Sequence, residues 1–226
     1  MNLTLALLLS ALSSPTATAA RVSGEREAAL GELRASPARH LGQDVRFAFQ
    51  FRAVVEDWDP LLSRFDPEAW VGFEAWADEA FTWDPEVFEA PARRLFVRRG
   101  SASERVLRGA SVYQRFEACA VVRELFLGEP WLEVVDLTPL DGEVGEGTIL
   151  HVTRARELLF KGQFGLALEQ YERARAAPLP PHALAAVLAE IRTAEEARAH
   201  NKFDEGRKSA EKKKKSNESP PQEPGG

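Results

Sequence analysis

Hydrophobic side chains recur at every second position between residues 45 and 55, and this is the clearest pattern in the chain. Polar residues such as Arg46, Gln50 and Arg52 fall between them, which is typical of a long β-strand with one buried face. The predicted core positions of this strand are Val45, Phe47, Phe49, Phe51, Ala53 and Val55.

Similar alternation predicts four more strands. These strands cover residues 70–77, 94–99, 112–122 and 131–137, with a short helix over 103–110 between the third and the fourth. Most links between strands are too short for a helical crossover, so we expect an antiparallel sheet. The order of elements over residues 41–140 resembles the OB-fold, a five-stranded Greek-key barrel with a helix after its third strand. A different small barrel or a sandwich-like sheet is the alternative.

After residue 140 the hydrophobic period becomes helical, so the predicted fold class is α+β. Residues 146–200 resemble a tetratricopeptide repeat, a pair of helices, and residues 182–199 supply one further helix. The residues that match the repeat lie in a turn and along the helix that follows it. They are Gly162, Phe164, Ala167, Tyr171 and Ala174. Such repeats present a helical surface to proteins, so the resemblance implies a protein partner.

The two ends of the chain differ from its middle. Residues 1–20 are an uncharged Leu-rich run ending in Ala17-Thr18-Ala19, which predicts a cleaved secretory signal and hence an exported protein, periplasmic or extracellular. Residues 21–40 then predict a short amphipathic helix, over 21–35, and a linker. Residues 201–226 carry many charges and little apolar surface, so we expect a disordered tail that could touch anionic surfaces.

Three Asp-Pro steps, each preceded by Trp or Phe, follow the first strand. The Asp residues are Asp59, Asp66 and Asp84, and each suits the start of a helix or turn, because its carboxylate can accept free backbone N–H groups. A calcium loop is the sharper alternative, but these carboxylates lack the alternating spacing and the bidentate Glu of such a loop.

Composition and motifs limit the classes of protein and the kinds of site that this chain can form. The 226 residues include 44% hydrophobic and 28% charged positions, which excludes disorder over most of the length and a multispan membrane protein. One cysteine, Cys119, and four scattered histidines predict no metal site, and each histidine suits a surface or capping position. No nucleophile elbow, metal-binding helix or phosphate loop is present, so we expect no enzyme activity and no cofactor.

One candidate ligand face emerges on the second and third strands, which OB-folds use for oligonucleotides or oligosaccharides. Aromatic rings flanked by arginines there would suit stacked bases or sugars. The candidate residues are Trp70, Trp76, Arg94, Phe96 and Arg98. In the alternative interpretation, the arginines neutralise Asp78, Glu79, Glu86 and Glu89 while the C-terminal helices cover the tryptophans.

The sequence therefore predicts an exported, non-enzymatic binding protein of bacterial type that meets a protein partner through its helical pair. Binding of a polysaccharide or a nucleic acid by the barrel is the second hypothesis, and an unrecognised enzyme is the third. The formal net charge of −6 weighs against nucleic acid, since phosphates would be repelled.

Overall fold

The structure, a computed structural model, describes residues 25–59 and 65–217, with side chains described as far as residue 213. The predicted signal segment therefore lies outside the described residues, as do Pro60 and the last nine positions of the chain. The signal segment stays a prediction.

Five strands form a closed barrel. They are β2 (Asp44–Val55), β3 (Trp70–Ala77), β4 (Ala92–Arg98), β5 (Arg115–Phe126) and β6 (Glu129–Leu140). The strand order β2-β3-β4-β6-β5 closes through pairing of β5 with β2, and α3 (Ala102–Arg108) lies between β4 and β5 in sequence. This arrangement is compatible with the OB-like barrel that the sequence predicts.

The expectation of a purely antiparallel sheet is wrong. Strand β4 pairs with β6 in parallel, joining Leu95 to Leu132 and Phe96 to Glu133. A whole strand, β5, and helix α3 separate β4 from β6 in sequence, so the chain has ample length for a parallel return. The sequence did not reveal the parallel pair, because β4 and β6 are not consecutive in the chain and become neighbours only in the folded barrel.

The barrel interior holds the predicted alternating side chains. Phe49 is fully buried, and its ring centroid lies 5.4 Å from that of Phe73 and 5.7 Å from that of Phe116. The alternation of β2 breaks at a β-bulge between Phe51 and Ala53, so Val54 packs against the core instead of Ala53. The prediction that Ala53 and Val55 continue the buried face is therefore wrong, since a bulge reverses the sides on which later residues fall.

The N-terminal segment is less helical than predicted. A two-residue strand, β1 (Arg26–Glu27), pairs in parallel with β2, and only then does α1 (Leu30–Ala35) begin, followed by a 3₁₀ turn at Pro37–His40. The backbone amide of Ala28 donates to the carbonyl of Arg46, which extends this pairing. Strand β3 reaches only the second half of β2, so the backbone of Val45 and Arg46 is free on that side to pair with the N-terminal segment in place of a helix.

Two of the Asp-Pro steps begin turns, as predicted. Asp84 caps α2 (Pro85–Glu89) by accepting the amide of Glu86 at 3.1 Å, and Asp66 accepts the amide of Glu68 at 3.0 Å. The third, at Asp59, precedes residues outside the described part of the chain.

Three helices complete the fold. They are α4 (Glu146–Phe160), α5 (Phe164–Arg175) and α6 (Pro181–Asn217). Helix α6 runs through positions for which the composition predicts disorder, because ten of residues 201–217 are alanine, glutamate, lysine or arginine, which are strong helix formers. No helix in the described ranges is both long enough and apolar enough to cross a membrane.

The link between β3 and β4 joins the barrel to the helices. Its Trp83 is buried in the helical core with Val144 and Val152. At the barrel end of the link, Arg115 forms two hydrogen bonds to the Asp78 carboxylate, at 2.6 and 2.8 Å, and a third to the carbonyl of Asp141. Helices α4 to α6, which we call the helical layer, are therefore joined to the barrel by the buried ring of Trp83 and by the buried ion pair between Arg115 and Asp78.

Candidate functional site

The predicted ligand face lies on the outside of the barrel. Along β4, Leu95 and Val97 belong to the barrel core, so Arg94, Phe96 and Arg98 project outward as the period predicts. On the neighbouring strand, Trp70 pairs with Arg98 in register. The sequence thus placed these four side chains on one surface.

Phe96 is the centre of an aromatic stack and not an open platform. Its ring lies 4.2 Å from that of Phe65 and 5.3 Å from that of Trp131, nearly parallel to both. Trp58 meets it edge-on at 5.2 Å. Only 2% of Phe96 is exposed, so its ring cannot stack on a ligand directly. Trp58 and Phe65 come from the segment after β2 and Trp131 comes from β6, so none of these rings belongs to the C-terminal helices.

The two arginines of this face are held by aromatic rings and by carboxylates. The guanidinium of Arg98 lies 4.5 Å from the ring centre of Trp70, and that of Arg94 lies 4.5 Å from the ring centre of Trp131. Strand β6 supplies the ion-pair partners Glu133 and Glu129, at 3.1 and 2.7 Å. The predicted neutralisation therefore occurs, but the carboxylates are not those of the link between β3 and β4.

Trp76 does not join this group. It projects outward from β3 but lies six residues from Trp70, which is about 20 Å along a strand. The rings of Phe88 and Tyr113 stack on it at 5.4 Å each, and its indole N–H donates to the carbonyl of Phe88. Only 2% of Trp76 is exposed, so the predicted face divides into two parts.

A cleft of about 480 Å³ opens beside the aromatic stack. We call it the barrel cleft. Its walls come from the end of β2 and the residues after it, from β3 and β4, and from the start of β6. The lining residues are Val55, Asp57, Trp58, Gly72, Glu74, Arg93, Arg94, Phe96, Glu129 and Trp131.

Trp58 packs tightly over the floor of the barrel cleft. A Cβ atom at Gly72 would lie 3.3 Å from the Trp58 ring and 3.2 Å from the carbonyl oxygen of Val55, so glycine allows this close approach. The indole N–H of Trp58 donates to the carbonyl of Phe65 at 2.8 Å. These contacts hold one half-buried tryptophan at the edge of the cleft.

Both signs of charge line the barrel cleft. Glu74 forms ion pairs with Arg52 and, at 3.2 Å, with Arg93, while Glu129 holds Arg94. Asp57 is the third carboxylate of the cleft, so together with Arg52, the second partner of Glu74, three guanidinium groups balance three carboxylates. Ion pairing fixes these polar groups in position, and their remaining lone pairs and N–H groups can bond to a ligand.

Sequence reasoning missed Trp58, Glu129 and Trp131. The last two reach the site through the parallel pairing of β4 with β6, which the antiparallel expectation excluded. Alternation within the fifth predicted strand could have placed Trp131 and Glu133 on one face, but not beside β4. Trp58 lies in an irregular segment, where no period applies.

The tetratricopeptide-like positions lie at the turn between α4 and α5 and along α5. Gly162 has φ of +71° in the turn and Phe164 begins α5. The other three, Ala167, Tyr171 and Ala174, are fully or almost fully buried. Burial raises the pKa of Tyr171, and its hydrogen bond to Glu190 of α6 acts in the same direction. Tyr171 and Ala174 belong to the buried core of the helices, whereas Gly162 is exposed in the turn, and the likeness to the repeat stays a prediction.

Outside the barrel cleft, Cys119 is half-buried and His40 is fully buried. Burial raises the pKa of the Cys119 thiol to about 11, so the thiol is protonated at neutral pH and a poor nucleophile. His40 is fully buried, contrary to the expected surface position, and Glu32 lies 3.9 Å away. Within residues 25–59 and 65–217, no three acidic, histidine or cysteine side chains are grouped so as to hold a metal ion.

Comparison with known proteins finds no matching family model, no matching curated protein and no matching solved structure.

Proposed function

We propose that this chain is an exported, non-enzymatic binding protein whose OB-like barrel binds a short uncharged oligosaccharide in the barrel cleft. The observation that carries the proposal is the cleft of about 480 Å³, which joins an aromatic wall to fixed polar groups of both signs. Small-ligand sites typically have volumes of about 300–1,000 Å³ and combine apolar walls with a few convergent polar groups. The export part rests on the pattern of residues 1–20.

The charges of the barrel cleft favour a neutral ligand over a nucleic acid. Asp57, Glu74 and Glu129 offset the positive charge of the arginines, so the cleft has no net positive charge to attract phosphate groups. Carboxylates accept hydrogen bonds from sugar hydroxyls, and guanidinium groups donate to them. Trp58 adds a half-buried amphipathic ring at the edge, the kind of surface on which the apolar face of a sugar packs.

The Arg94→Ala variant tests this proposal. The side chain packs on Trp131 and bonds to Glu129, so its loss removes a fixed donor and frees the carboxylate. We expect affinity for the oligosaccharide to fall at least about tenfold, the loss of roughly one good hydrogen bond. Tryptophan fluorescence titration with cellohexaose, xylohexaose and chitotetraose, and with a dT12 oligonucleotide, measures it.

Arg46→Ala is the matched control for this titration. Arg46 is also an ion-paired barrel arginine, held by Glu25 and Glu117, but it does not line the barrel cleft. Its replacement should leave the titration unchanged. Binding of dT12 alone would contradict the proposal and favour the nucleic-acid alternative. Equal affinity of the Arg94→Ala and native chains for a sugar would place that sugar elsewhere.

A second candidate function is protein binding through the tetratricopeptide-like pair α4–α5. The observation that favours it is Phe160, the last residue of α4, which is 94% exposed. Leu166 of α5 and Phe203 of α6 are exposed as well, and several exposed apolar side chains on one group of helices are typical of a surface that a partner covers. The buried pattern of Ala167, Tyr171 and Ala174 supports the likeness to the repeat family, whose members present helical surfaces to proteins.

A further inference from the structure

A second cleft, of about 510 Å³, lies at one end of the helical layer. We call it the helical groove. One wall is the turn after α4 with the first turn of α5, from Gly162 to Leu166, and the other wall is the stretch of α6 from Arg198 to Glu205. The groove is remote in sequence from the barrel cleft and shares no residue with it.

Large apolar side chains are exposed in or beside the segments that build the helical groove. Phe160 precedes the turn, Leu166 lies in the first turn of α5 and is 50% exposed, and Phe203 lies within the α6 wall segment and is 69% exposed. Leu166 lines the groove itself, and exposed apolar residues in and beside the segments that build one groove are typical of an interaction surface.

Gly165 leaves the helical groove open on its α5 side. It lies in the first turn of α5, and a Cβ atom there would meet nothing within 4 Å. Packing within the described chain therefore does not require glycine at this position. The open space leaves room for a partner at this wall of the groove.

The charges around the helical groove are balanced. Arg198 and Lys202 are positive, and Glu169 and Glu205 are negative. In the part of the chain that the structure describes, neither Arg198 nor Lys202 forms an ion pair. A two-fold interface sets the same patch against its copy, so a surface with two charges of each sign allows the cations of one copy to face the anions of the other.

Helix α6 extends far beyond its support. Its 37 residues span about 55 Å, against about 18 Å for the 12 residues of α5. Ala194 is the last of its buried residues among the side chains that the structure describes. A long helix with little tertiary packing gains stability when a second helix covers it.

We propose that the helical groove is a self-association surface. The groove of one copy of this chain, with its exposed apolar residues, packs against the same groove of a second copy. The inference rests on the second candidate function, a protein-binding role for the helices, and names the partner. Across the two-fold interface, the cations of one copy face the anions of the other over a shared apolar contact.

Sedimentation velocity of the full chain, from about 1 to 200 µM, is the first test. The native chain should shift from monomer toward twice the mass as concentration rises. Two charge-reversal variants, Glu169→Arg with Glu205→Arg and Arg198→Glu with Lys202→Glu, should each stay monomeric. An equimolar mixture of the two variants should restore the dimer. The control, Glu86→Arg with Glu89→Arg on the exposed face of α2, should dimerise like the native chain.

Three outcomes would overturn the proposal: a native chain that is monomeric at every concentration, a dimer that survives both reversals, or a mixture that does not associate. A chain that is monomeric yet binds another protein through α4–α5 would overturn self-association and leave the second candidate function standing. Circular dichroism of each variant checks that the helices are intact.

Discussion

Replacing Arg115 with alanine should destabilise the protein by about 3–5 kcal/mol, because it leaves the Asp78 carboxylate buried without its partner. Arg115 begins β5, Asp78 begins the link to β4, and the third hydrogen bond reaches Asp141 at the entry to the helices. One guanidinium thus joins three segments that are distant in sequence. Chemical denaturation, followed by fluorescence and by circular dichroism, measures the loss.

Two further variants sharpen the Arg115 test. Arg108→Ala removes an exposed arginine that also has two carboxylate partners, Glu56 and Glu104, and should cost no more than about 1 kcal/mol. Arg115→Met combined with Asp78→Leu removes both buried charges and should be more stable than Arg115→Ala alone. A loss below about 1 kcal/mol for Arg115→Ala would show that this ion pair does not anchor the junction.

Replacing Trp83 with alanine should cost about 3–5 kcal/mol, the range for a large buried aromatic side chain. Trp83 comes from the link between β3 and β4, yet its ring is buried among helical residues such as Val152 and Tyr171 and stacks on Phe81 at 4.5 Å. Its removal leaves a cavity at the point where the barrel meets the helices. We expect the helical signal at 222 nm to melt before the barrel does.

Phe160→Ala is the control for Trp83→Ala. Phe160 is equally aromatic but lies in water, so its replacement should change stability by less than about 0.5 kcal/mol. If Trp83→Ala unfolds in one transition with native stability, the barrel and the helices are not joined through this ring. Limited proteolysis of the helical layer gives an independent readout of the same uncoupling.

Alternation along single strands predicted which side chains face the core. Phe116 and Ala118 of β5 lie inside, and Arg94 and Phe96 of β4 lie outside, as a period of two requires. The prediction failed at β2 beyond Phe51, where a bulge moved Val54 inward. A bulge depends on the pairing of two strands, so the sequence of one strand does not reveal it.

The composition of the barrel cleft was harder to predict, because it depends on which strands become neighbours. Arg94 was identified as a site residue, but its partners Glu129 and Trp131 come from β6, a strand paired in parallel only after the chain has passed through β5. Trp76 was assigned to the same face by period alone. It lies at the far end of β3, where Phe88 of α2 covers it.

Over residues 201–217, the structure is more regular than the composition predicts. Charge-rich composition predicts disorder because it offers little apolar surface to bury. The residues between Asn201 and Asn217 are nonetheless helical in the structure, since local propensity and the helix already formed from Pro181 allow propagation without a new nucleus.

The most direct test of the barrel cleft as a binding site is a ¹H–¹⁵N spectrum of the five tryptophan indole groups during titration with the neutral oligosaccharide that gives the largest fluorescence change. Single substitutions assign the five signals. We expect Trp58 and Trp131, which line the cleft, to shift, and Trp83, buried at the helical junction, to stay in place. Shifts confined to Trp83, or no shift with any sugar of the panel, would contradict the proposed function.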